Sequence, residues 1–167
     1  MSALTPGQAF APPAFHESAG LGRARRLLPL ADMRKVYSDE RGELFSEDLP
    51  GNVLKTRITG YMSLPLAKAL VGEFDRFLKA HGHLRAAHDW YEMANYEGEG
   101  RTLITDFSVK RRKEIGDCTI LLKSAMVNMG VNTASIALKA VGISITSSTD
   151  RAVFEQRVAA LLRAKAA

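Results

Sequence analysis

Residues 83–124, HLRAAHDWYEMANYEGEGRTLITDFSVKRRKEIGDCTILLKS, decide the fold. The apolar-leaning run 84–93 reads as a strand, 95–100 as a hinge rich in Gly and Glu, 101–115 as a helix and 118–122 as a second strand. A strand, a helix and a strand in this order form a parallel pair whose crossover packs on one face of a sheet. The pattern recurs downstream in a helix over 125–140, a strand over 143–146 and a helix over 150–165.

Upstream, 34–38, 43–47 and 53–62 read as extended runs separated by the turn-rich 39–42 and 49–52. Pro50, Gly51 and Asn52 supply the turn chemistry of a hairpin, and Val53, Lys55 and Arg57 alternate with Leu54, Thr56 and Ile58. From 65 to 80 the apolar positions Leu66, Leu70, Phe74, Phe77 and Leu78 recur at helical spacing, with Ser63 as N-cap, Pro65 in the first turn and Gly82 as the stop. The expectation is a mixed, mostly parallel α/β sheet of four to five strands with about four helices.

With 167 residues and 46% hydrophobic content, one core is the natural solution. The expected organisation is a disordered arm over 1–32, with Pro6, Pro12, Pro13 and no sustained period, and a single domain over 33–167. No run of about 18 apolar residues stands in the chain and the first thirty residues lack the apolar core of a signal peptide, so a cytoplasmic location is expected. The lone Cys118 sits in an apolar run and reads as a buried core thiol.

The net charge of +5 is unevenly distributed, basic at the N-terminus and acidic over 36–100. Lys110, Arg111, Arg112 and Lys113 are consecutive, so they encircle a helix end instead of forming a stripe. Nucleic-acid surfaces interleave such charges with stacking aromatics, and only Phe107 is near, at core spacing; specific nucleic-acid binding is not expected. No metal constellation, phosphate loop or nucleophile motif is present, so no catalytic, cofactor or metal residue is assigned. His81 and His83 lack a third ligand. His88 and Asp89 are neighbours in a strand and point to opposite faces, which rules them out as an acid and base pair and favours a buried, hydrogen-bonded His88.

Open α/β sheets bind ligands outside the carboxyl ends of their strands. That rule places a candidate ligand or partner rim at Tyr61, at Asp89, Trp90, Asn95 and Tyr96, at Lys123 and Ser124, and at Ser147. Met126 and Met129 join it, because an apolar helix start with methionines suits an adaptable surface for a partner or an acyl chain; plain core packing explains the same residues.

The order of a hairpin, a helix, LRAAHDWYEM, a helix, CTILLK, SAMVNMGVNTASIALKA, ISIT and TDRAVFEQRVAALL resembles the STAS family over about residues 35–162. The similarity is to its SpoIIAA-like branch, in which bacterial regulators share a fold related to lipid-carrying CRAL-TRIO domains. The resemblance implies a non-enzymatic regulatory or scaffold module that binds a protein partner, with a carrier or sensor of a lipid or other apolar small molecule as the alternative. It also implies a phosphorylatable Ser or Thr in the turn before the second helix. Here that turn reads MANYEGEGRT, with only Tyr96 and Thr102 carrying hydroxyls. Glu97 and Glu99 are expected to cap the helix that follows, since its positive dipole end favours carboxylates.

Overall fold

The structure, a computed structural model, describes residues 34–164; the expected N-terminal arm lies outside them. The chain opens with an antiparallel meander of β1 (Arg34–Ser38), β2 (Gly42–Leu49) and β3 (Val53–Met62). Asp39 shapes the first turn by accepting hydrogen bonds from the amides of Arg41 and Gly42 at 2.8 and 3.0 Å. Gly42 pairs with Gly60, whose φ of 74° favours a residue without a β-carbon.

After β3 the helices α1, α2 and α3 make the crossovers between parallel strands, while β4 and β5 are joined by two residues. The order is α1 (Leu64–His81), β4 (Leu84–Trp90), β5 (Met93–Tyr96), α2 (Gly98–Lys110), β6 (Ile115–Leu122), α3 (Ala125–Ala140), β7 (Ile145–Ser148) and α4 (Arg151–Arg163). The sheet runs β1-β2-β3-β4-β6-β7, with β5 pairing on β3 beyond the end of β4. Among the described residues the sheet is mixed and mostly parallel, with four helices, and its strands number seven instead of four to five.

The departures at β5 and α2 have local causes. The chain leaves β3 for only Tyr91 and Glu92, then rejoins it with a shifted register at Gly60, so part of the expected hinge is β5. Likewise α2 starts at Gly98 and stops at Lys110, because Ile115 pairs with Leu84 as the first residue of β6.

Helices α1, α2 and α3 cover one sheet face over a large apolar core that includes Leu70, Phe77, Ile58 and Leu122. Helix α4 covers the other with Phe154 and Val158 against Val53, Ala87 and Leu121. A polar network joins α1 to the meander. Glu73, 2% exposed, accepts hydrogen bonds from Tyr37 (2.6 Å), Arg76 (2.9 Å), Ser46 (3.0 Å) and Lys35 (3.3 Å). Arg76 also grips Asp48 with both of its terminal nitrogens. Burial alone would raise the Glu73 carboxyl, but these donors hold it below the usual carboxylate range. Among the described residues no helix is long and apolar enough to cross a membrane.

Candidate functional site

The small residues of the helices decide where the site lies. Gly100, in the first turn of α2, is buried so close to Ala67 of α1 that a β-carbon there would stand 2.9 Å from the Ala67 methyl. This contact draws α2 toward α1. On the other side, the Tyr96 hydroxyl lies against Gly130 of α3, filling the place of any β-carbon at that position. Between α2, α3 and the sheet remains an apolar cavity of about 90 Å³. It is of the same order as the roughly 150 Å³ of an engineered apolar cavity that binds benzene.

Its floor is Ala86, His88 and Trp90 of β4 with Cys118 and Ile120 of β6, and its roof includes Ile104 of α2 and Val131 and Ala134 of α3. The hydroxyls of Thr105 and Ser108 line it, but each is bonded to a carbonyl of its own helix, at 2.9 and 2.8 Å, which leaves the wall apolar in character. Tyr96 and Arg101 also line it and are half-buried, as are Ile104, Thr105, Val131 and Ala134.

His88 is the polar exception on the floor. It is 4% exposed, and its Nδ1 lies 2.7 Å from Thr56 Oγ1, which also receives the Trp90 indole N–H at 3.4 Å. The ring stacks on Trp90 with centroids 4.7 Å apart. Burial pushes its pKa down to about 3, so the ring is neutral in ordinary buffers. Burial, reinforced by Asp117, pushes the Cys118 thiol up to about 12, which keeps it protonated and a poor nucleophile.

Of the expected rim, Trp90 and Tyr96 meet at this cavity. The other residues do not. Asp89 faces α4, where Arg151 holds it at 2.8 and 3.4 Å, as the alternation of strand faces requires. Tyr61 lies beneath the Arg41 guanidinium, 3.5 Å from the ring centroid. Asn95 accepts a bond from the Tyr96 amide, and Lys123 lies over the Tyr91 ring. Ser124 caps α3 through the Val127 amide and donates to the Ala94 carbonyl. The Ser147 carbonyl accepts a bond from Arg157. Met126 and Met129 project from α3 and are 54% and 65% exposed, away from the core.

Glu97 does not cap α2 through its side chain. It sits at the N-cap position, yet its carboxylate accepts the Leu64 amide at 2.8 Å and the Arg41 guanidinium at 3.3 Å. Asp39 accepts the hydroxyl hydrogen bond of Ser63 beside it. Two carboxylates of the protein thus occupy the start of α1, and both would repel an incoming phosphate. Thr102 lies inside α2 with its hydroxyl on the Gly98 carbonyl.

Sequence reasoning missed Arg101, Ile104 and Ala134 as lining residues, since helical period shows which face is apolar and not how closely it seats. Gly100 and Gly130, glycines within helical spans, were the available signals of tight contacts.

No family model and no curated protein matches the chain. Among solved structures it is similar to an uncharacterized protein of the DUF3478 family from Shewanella loihica PV-4, described as having a SpoIIAA-like fold. The match has 10% sequence identity, covers 74% of this chain and 90% of that one, and has a TM-score of 0.50. The fold of this chain is SpoIIAA-like.

Proposed function

We propose that the protein is a non-catalytic carrier or sensor of an apolar small molecule, held between α2, α3 and the sheet. The observation that carries this reading is the apolar cavity of about 90 Å³, walled by Ala86, Trp90, Ile120 and Val131. Its size suits a ring or a short chain. The neutral His88 and the protonated Cys118 supply neither a strong base nor a thiolate, which supports binding over chemistry.

Trp90 is the single tryptophan of the chain and part of the cavity wall, so its emission reports occupancy. Titration of the full-length protein with octane should change that emission saturably. Ala134→Phe, which fills the cavity from the roof, should abolish the response while leaving the circular dichroism intact. An unchanged wild-type spectrum, or a response that survives in a folded Ala134→Phe protein, counts against the reading. Native mass spectrometry of freshly purified protein adds the identity of any retained molecule.

A regulatory module that docks a protein partner is the second reading, supported by the exposed Met126, Met129 and Ile136 on α3. Capture of a partner that is lost on Met129→Ser with unchanged octane binding would favour it.

A further inference from the structure

We propose that the ligand of this cavity carries a neutral oxygen acceptor, such as a ketone or ester carbonyl, and that His88 Nε2–H donates a hydrogen bond to it. The inference rests on the apolar-ligand reading above and narrows it to a chemical class.

Thr56 and His88 face each other across the parallel pair of β3 and β4. A threonine hydroxyl has one proton to donate and lone pairs with which to accept. Trp90 Nε1 can only donate, so at Thr56 Oγ1 it occupies a lone pair. The hydroxyl proton then needs an acceptor. Among the described residues the one within reach is His88 Nδ1, at 2.7 Å. Nδ1 must therefore be the bare nitrogen, and the proton of the neutral ring resides on Nε2. The relay runs from the Trp90 N–H to Thr56, from the Thr56 O–H to His88, and ends at His88 Nε2–H.

That last donor has no hydrogen-bond partner among the described residues; its residue is 4% exposed and forms part of the cavity wall, so the atom keeps accessible surface instead of being sealed in the packing. Buried donors in folded proteins are almost always satisfied. Thr105 and Ser108, polar lining groups of the roof, give their protons to helix carbonyls, and neither oxygen is hydrogen-bonded to His88. A ligand oxygen can. The same burial that makes the cavity apolar also keeps the ring uncharged, so an ion pair with a carboxylate has no counter-charge at this point. A charged group on the ligand would belong at Arg101, the charged residue of the lining.

The test compares 2-octanone with octane, read by Trp90 emission, in the wild type and in His88→Phe. Phe conserves the stacking partner of Trp90 and removes the donor. The ratio of ketone to alkane affinity should fall about tenfold in the variant, the equivalent of roughly 1.4 kcal/mol for one hydrogen bond. An unchanged ratio with both ligands bound overturns the proposal and leaves the apolar reading standing. Absence of any response to either ligand overturns both. Should His88→Phe fail to fold, ¹⁵N NMR of the wild type decides: a protonated Nε2 whose shift moves with 2-octanone and not with octane supports the proposal, and a ring protonated at Nδ1, or one insensitive to the ketone, overturns it.

Discussion

Glu97 stands at the junction of β5 and α2, yet its carboxylate accepts the backbone amide of Leu64, the first residue of α1, at 2.8 Å. One side chain thereby ties the start of one helix to the start of the next. The first amides of a helix have no partner within it, and a carboxylate there also meets the positive end of the dipole.

Replacement of Glu97 by Ala should therefore lower stability by about 1 kcal/mol. The loss should appear at α1, with faster amide exchange in its first turn, and not in α2. Equal fraying of α2 would indicate that the carboxylate serves the helix it precedes.

Glu73 should make the molecule acid-sensitive. Its carboxyl is held below the ordinary range in the folded state, so it contributes stability above the unfolded-state pKa. That contribution is lost as pH falls through the lower, folded value. Glu73→Gln should cost about 2 to 4 kcal/mol at pH 7, because Tyr37, Ser46 and Arg76 lose a charged acceptor in a buried place. The deficit relative to wild type should narrow as pH is lowered below 4 in urea titrations; a constant difference would contradict the assignment.

Gly130 should reverse the usual helix preference. In an open helix interior Gly→Ala stabilises by about 1 kcal/mol. Here a β-carbon would collide with the Tyr96 hydroxyl and ring, so Gly130→Ala should destabilise by about 1 to 3 kcal/mol. Truncation of Tyr96 to Ala in the same chain should remove much of that penalty. A double-mutant cycle measures it, and additive effects would show that the two residues do not compete for the space.

Cys118 should resist alkylation in the native state. The thiol is buried and its pKa is pushed up to about 12, so little thiolate exists below pH 10. Iodoacetamide should label it at the rate of global or local opening and rapidly in denaturant. Quick labelling of folded protein at pH 8 would show that the β6 floor of the cavity is open to solvent.

The alternation of strands with helical periods, the N-cap Ser63, and the turn at Gly51 and Asn52 are visible in the linear chain because each depends on residues a few positions apart. That local chemistry was enough for the mixed, mostly parallel α/β class and for the opposite facing of His88 and Asp89. It did not show β5, whose pairing with β3 depends on the bulge at Gly60, or the partner of Glu97 on a helix 33 residues upstream. The cavity was still less legible. Ala86 and Ala87 look equivalent in sequence, yet α4 packs Phe154 against Ala87 while the opposite face leaves Ala86 in the wall of a cavity. What separates them is the placement of α2 and α3, set by Gly100 against Ala67 and Tyr96 against Gly130. Such contacts join distant parts of the chain, and their geometry exists only once the helices have packed on the sheet.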